Sequence, residues 1–333
     1  MNSKQNDIIH REYGAFVVPT GIGAKIGGFA GDASCFARKI SEELPLIVNP
    51  NVVNAACFSG ISPNMLYTEG WTISQFFKGN VSLKPSYNNK IGIIFDKEIS
   101  QRILNIHINT INAVKTVYGC DVIGYEITEE PCGVGFFMTK EKISSGALTN
   151  EQTLLKAAKK MISRGAQTLA VVCHFDEPPE DEYALGNETD IIGGVEAIIS
   201  HYLTRELQIP VVHAPAFEKI DLTSEIVDPR AAAEYITPTF LPCLLLGLQN
   251  APLISLSNKY ITRENIKCLI MPYDSLGSSI VLDSIKSGID VLAIEENSSA
   301  INIDRYALSM KNDIISVKSY QDVISNISGK ILS

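Results

Sequence analysis

No Cys-x-x-Cys pair occurs in this chain of 333 residues, although it carries seven cysteines, at positions 35, 57, 120, 132, 173, 243 and 268. Scattered and odd in number, they exclude a disulfide framework or zinc knuckle and read as free thiols, several of them inside apolar runs. There is no dense lysine or arginine run. The formal net charge of −9 and pI near 5.2 exclude nonspecific nucleic-acid binding, which needs a basic surface to displace counterions from phosphates. No uninterrupted apolar run of about 18 residues appears, and Met1–Arg11 is polar, so neither a spanning helix nor a signal peptide is expected. The expected compartment is the cytoplasm, with no membrane partner.

Familiar catalytic signatures are missing as well. Without Gly-x-Ser-x-Gly there is no support for an α/β-hydrolase serine, and without His-Glu-x-x-His or His-x-x-x-His no helical zinc site. Pro/Ser-rich linkers, repeats and low-complexity segments are absent too. With 45% hydrophobic and 20% charged residues the chain can bury a sizeable core, and its length suggests about two domains, placed at 1–145 and 146–333.

What is present is a cadence of short apolar runs, each followed by a turn and a helical pattern: Ala15–Val18, Leu46–Val48, Lys90–Phe95, Val122–Ile127, Thr168–Cys173, Val211–His213, Lys267–Met271 and Val291–Ile294. Runs that are continuously apolar, not alternating, are those of strands buried on both faces. The helix predicted over Glu151–Arg164 has Thr149-x-x-Gln152 as a capping box and Gly165 as its stop, and another is predicted over Val195–Leu207. The fold class is therefore α/β, a mostly parallel, Rossmann-like sheet with helices on both faces, in two α/β subdomains with the site between them. The apolar run Thr239–Gly247 reads either as a core helix or as a dimer face, so a homo-oligomer stays open.

Behind the first strand, Val17–Asp32 crowds five glycines into one loop: Gly21, Gly23, Gly27, Gly28 and Gly31. Such strand-to-helix loops present backbone N–H groups to phosphates or carboxylates. The spacing is one residue long for Gly-x-Gly-x-x-Gly, and Leu46-Ile-Val-Asn49 ends without the acid that would hold a ribose. The Lys-Ser/Thr of a P-loop is absent too. A small substrate anion is preferred over NAD or ATP, held by Thr20, Gly21, Gly23, Lys25, Gly27 and Gly28 together with the amides Asn49, Asn51 and Asn54 of the next strand-end turn. Glu69, in Tyr67-Thr-Glu-Gly-Trp71, is a further contact or base.

Histidines supply the acid–base candidates. His213 should emerge at the rim of its strand, His201 lies on the predicted helix, and Asp32 and Glu196 are secondary. No cofactor is predicted. A divalent metal gathered by His174, His201 and His213 is the minority alternative. The acidic stretch Asp176–Glu182 reads as a long loop at a strand's C-terminal end, solvated or serving as a lid.

Two resemblances add to these readings. Gly165-Ala-Gln-Thr-Leu-Ala-Val-Val-Cys-His-Phe175 resembles the second-cysteine segment of cofactor-independent aspartate/glutamate racemases. It implies thiol roles for Cys173 and, opposite, Cys57, with His174 as the neighbouring acid–base group; the threonine expected after the second cysteine is missing. The blocks Gly23–Asp32, Pro50–Asn54, Gly193–His201 and His213–Phe217 resemble, over nearly the whole length, an uncharacterised bacterial and cyanobacterial family of unknown function, which implies no reaction. Together these features lead to an expected enzyme for a small anionic metabolite, moving protons as an isomerase or racemase, lyase or hydrolase. A noncatalytic small-molecule sensor is the rival. A nucleotide-sugar transferase is a third reading, suggested by Asp274-Ser-Leu-Gly-Ser-Ser279.

Overall fold

A computed structural model describes residues 8–178, 183–187, 189–220, 223 and 225–328. Two sheets hold the strands β1 (Tyr13–Phe16), β2 (Leu46–Val48), β3 (Met65–Tyr67), β4 (Ile91–Phe95), β5 (Val122–Ile127), β6 (Thr168–His174), β7 (Val211–Ala216), β8 (Ile266–Pro272), β9 (Asp290–Ile294) and β10 (Ile314–Val317). The large sheet has the order β10-β9-β8-β1-β2-β3 and the small one β7-β6-β4-β5. Every pairing within them is parallel. The large sheet thus draws on both ends of the chain, and the small one on its middle.

Alternation along each strand explains the continuous apolar runs. Side chains of a strand point to opposite faces in turn. Phe16, Leu46 and Val48 enter one core and Tyr13, Ala15, Val17 and Ile47 another, on the opposite face of the large sheet. The small sheet divides likewise: Ile91, Ile93, Phe95, Ala170 and Val172 join the core of Phe16, whereas Ile94, Leu169, Val171 and Cys173 form a third. One core therefore lies between the two sheets, and strands with both faces covered have no polar side to show.

The apolar run 239–247 supplies much of that shared core. It forms the helix Leu241–Gln249, with Leu241, Cys243, Leu244, Leu245 and Leu248 buried, packed against β6, β7 and the helix Gln101–Tyr118. It is a core helix, not an exposed face. Among the described residues, no helix is long and apolar enough to cross a membrane.

Local readings differ in detail. The helix Glu151–Ser163 begins after Asn150, not Thr149, and Asn150 makes no side-chain cap bond; its side-chain amide donates to the carbonyl of Pro131 at 3.3 Å. β3 and β10, of three and four residues, are too short to show a period and owe their existence to pairing with β2 and β9.

Strand order reverses between β1 and β8 in the large sheet, and between β4 and β6 in the small one. Loops leaving such strands diverge and open a crevice at their C-terminal ends.

Candidate functional site

The crevice of the large sheet widens into a cavity of about 830 Å³. Its floor is made by residues just past the ends of β1, β2 and β3: Val17, Asn49 and, one residue further on, Glu69. A second wall is one face of the helix Gly193–Leu207, where Glu196, Ala197, Ser200 and His201 recur at helical spacing while Val195, Ile199 and Leu203 turn into the core. His213 and Ala216 come from β7, and Glu234 with Thr239 from the segment before the core helix. Ser278 and Ser279, at the start of the helix Ser279–Lys286, close the end beneath β8.

Glu69 is 3% exposed and acts as the N-cap of the helix Gly70–Lys78, its carboxylate accepting the N–H groups of Trp71 at 2.8 Å and Thr72 at 2.5 Å. Burial pushes its pKa up to about 7 against those two bonds. Gly70, next to it, has no room for a side chain: a Cβ there would stand 2.5 Å from Nε2 of His201. The large sheet thereby seats a histidine that belongs to the small one.

His213 and His201 are both neutral. Burial drives the His213 pKa down to about 3, with the neighbouring His201 adding to it, and burial also lowers His201. Glu196, whose Oε2 is 3.8 Å from Nε2 of His213, is pushed well above the carboxylate range by burial, then by Asp190 and Glu234. Glu234 is raised to about 7 by burial and then by Asp190; its Oε1 accepts the Ala30 N–H at 2.9 Å and the Tyr183 hydroxyl at 2.6 Å.

Within the glycine loop, N–H groups that would face a ligand have partners inside the protein. Lys25 donates to the carbonyl of Ser298, Ile26 to Oδ1 of Asn297, Gly27 to Oδ1 of Asp32 and Ala30 to Glu234. Two of these partners are carboxylates of the chain itself, and burial raises that of Asp32 to about 6. Gly31 is required by its φ of +80° and by Ala55, whose Cβ would be 2.4 Å from any Cβ added there.

Asn49 and Asn51 fasten this loop. Asn49 exchanges two bonds with the backbone of Val18, and Nδ2 of Asn51 donates to the carbonyl of Gly27 at 2.6 Å. Asn54 accepts the Tyr67 hydroxyl at 2.9 Å.

Of the sequence-derived candidates, Thr20, Gly28, Asn49, Asn51, Asn54, Glu69, Glu196, His201 and His213 line the cavity. Gly21, Gly23, Lys25, Gly27, Asp32, Cys57 and Cys173 do not. Cys57 sits in the tight turn between Asn54–Ala55 and Phe58–Ser59, whereas Cys173 is buried beside Cys132 and Asp96 at the switch point of the small sheet. His174 is apart from the other two histidines, its Nδ1 3.9 Å from Glu98.

Among the described residues, Asp96, Cys132 and Cys173 are the one group whose ligand atoms converge within 4.8 Å; the three histidines are not such a set. Asp96 is a poor cation ligand. Its oxygens already accept the N–H groups of Cys132, Glu98 and His174.

Residues 14–330 match the family described as protein of unknown function, DUF3326. The chain belongs to this family. An uncharacterized lipoprotein of Synechococcus sp. is 34% identical over 296 residues, covering 86% of this chain and 82% of the relative. No solved structure matches the chain.

Sequence reasoning missed Glu234 and Tyr183 as cavity residues. Glu234 stands on the four-residue helix Ala232–Tyr235, in a stretch with no period to reveal which side faces inward. Of the acidic loop, Glu177 and Pro178 reach the cavity mouth, and 179–182 lie outside the described residues.

Proposed function

We propose that the protein is an enzyme that moves a proton on a small metabolite carrying a carboxylate or phosphate, in the manner of an isomerase, lyase or hydrolase. The observation that carries this reading is the His213–Glu196 pair in the wall of the cavity, 3.8 Å apart. That separation is beyond hydrogen-bond reach, so neither group is closed on the other. Glu196 holds a proton and His213 offers a free ring nitrogen, which is one general acid and one general base side by side.

For the anionic end of the metabolite, the first turn of the helix Ser279–Lys286 is better placed than the glycine loop. Ser278 and Ser279 line the cavity there, and Oγ of Ser278 is buried without a partner. N-terminal N–H groups and the helix dipole favour an anion. Lys219, exposed at the mouth, is the lining residue with a positive charge.

The test is incubation in D₂O with pooled hydroxy acids, amino acids and sugar phosphates, followed by mass spectrometry. Deuterium should enter one carbon-bound position of one compound and be lost with His213→Asn and Glu196→Gln. Exchange that persists in both variants would overturn the reading, and a compound retained without exchange would identify a binding protein.

A cytoplasmic location is part of the proposal, supported by seven free cysteines, which suit a reducing compartment. The lipoprotein name of the Synechococcus relative points the other way, to a membrane-attached protein. Cell fractionation decides between them, since recovery in the membrane pellet would replace the cytoplasmic placement.

A further inference from the structure

His213 and Glu196 stand on neighbouring elements, β7 and the helix Gly193–Leu207, and both line the cavity. Neither can act alone. Burial and the nearby His201 push the His213 pKa down to about 3, which makes it a feeble base by itself. Burial, Asp190 and Glu234 hold the proton on Glu196, which makes it a feeble acid. If the proton of Glu196 leaves as another reaches His213, a carboxylate and an imidazolium result 3.8 Å apart, and each charge stabilises the other. The two transfers together leave the net charge of the wall unchanged, whereas either one alone would bury an isolated charge.

A substrate for such a step offers a C–H bond to His213 and, beside it, an oxygen to Glu196. A ketone or aldehyde with hydrogen on the adjacent carbon has both, and ordinary bond lengths put that carbon and the oxygen about 2.4 Å apart. Groups separated by 3.8 Å can each come within hydrogen-bond distance of one of them. A carboxylate fits less well as the reacting carbonyl. Removing a proton beside it builds a second negative charge, and among the described residues no lysine or arginine lines the cavity except Lys219, at its exposed mouth. Ser200 lies one turn along the helix from Glu196 and donates its own proton to main-chain carbonyls, which leaves oxygen lone pairs for a substrate hydroxyl.

We infer that the metabolite is a hydroxyaldehyde or hydroxyketone whose carbonyl meets Glu196 while His213 takes the proton of the adjacent, hydroxyl-bearing carbon. This rests on the proposed function and narrows it to 1,2-isomerisation, with the phosphate or carboxylate at the far end of the molecule, against Ser278–Ser279. Nε2 of His213 takes the carbon-bound proton, the C–H electron pair becomes a C=C bond, and the carbonyl π pair takes the proton of Glu196. A neutral enediol then lies between imidazolium and carboxylate. The imidazolium protonates the former carbonyl carbon as the other hydroxyl proton passes to Glu196, so the carbonyl moves by one carbon and both groups are restored.

The full chain in D₂O with two pools of compounds tests the inference. One pool holds dihydroxyacetone phosphate, fructose 6-phosphate, ribose 5-phosphate and glucuronate; the other holds lactate, malate, alanine and glutamate, whose carbonyls are all carboxylates. Deuterium should enter a compound of the first pool faster than without protein, and none of the second. In His213→Asn and in Glu196→Gln the exchange rate should fall by about 10²–10⁴-fold, and the double variant should be no slower than the slower single one, because the pair works as a unit. The Tm of each variant reports its folding, and the choice between pools is read from the wild type alone.

Exchange in the second pool, or losses that multiply in the double variant, would overturn the inference and leave the proposed function standing. Exchange in neither pool would overturn both.

Discussion

Nε2 of His213 faces Oε2 of Glu196 across 3.8 Å, between β7 and the helix that precedes it. Both groups are neutral because each is buried: Glu196 keeps its carboxyl proton and His213 has one protonated and one bare ring nitrogen. Their opposite displacements have opposite consequences for stability. His213 falls from 6.5 to about 3, so its protonation resists folding as pH drops through that window. The stability difference between the wild type and His213→Asn should therefore rise as pH increases from about 3 to 6.5, as measured by urea unfolding at a series of pH values.

Glu234 carries the reverse sign. Its pKa is raised from 4.5 to about 7, so the folded state binds more protons than the unfolded chain between those values. The advantage of the wild type over Glu234→Gln is full below pH 4.5 and is lost as pH rises to about 7. An unchanged difference across this range would contradict the burial assigned to Glu234.

Gly70→Ala probes the contact between the two sheets. The new methyl would meet Nε2 of His201, a side chain with some freedom to yield, so stability should fall by about 1 kcal/mol. The imidazole would nonetheless be displaced within the cavity. Tm should change little while ligand-induced stabilisation drops markedly.

Asn297, fully buried, ties the glycine loop to the C-terminal helix. It accepts the Ile26 N–H at 2.9 Å and donates to the Ile26 carbonyl at 2.8 Å and the Tyr320 hydroxyl at 2.7 Å. Asn297→Ala leaves buried groups without partners and should cost about 2–4 kcal/mol, read from the denaturant midpoint at unchanged m-value.

Two glycines with left-handed backbones should respond differently to alanine. Gly119, with φ of +69° and nothing within 4 Å of a Cβ, should lose about 1 kcal/mol from backbone strain alone. Gly31 adds a clash with Ala55 and should lose several times more. Equal losses would mean that the loop gives way around Gly31.

The sequence by itself determined the α/β class and the strands it read, because strands covered on both faces are apolar along nearly their whole length, as Ile91–Phe95 and Leu169–Cys173 are. It also determined that Asn49 follows a strand directly, since turn chemistry is local, whereas His213, read as the end of its strand, lies inside β7, whose parallel pairing with β6 continues to Ala216. Only the tertiary structure decided what those ends face. The N–H groups of Gly27 and Ala30 look free in sequence and are taken by Asp32 and Glu234, the second from a segment about 200 residues away. Glu69 reads as a loop carboxylate and is a buried helix cap, because β3, too short to be seen locally, carries it inward. Cys57 and Cys173, similar in their local setting, are placed by different sheets, and neither reaches the cavity. Burial and charge balance depend on which distant residues share a space, and that is set by the packing of two sheets around one core.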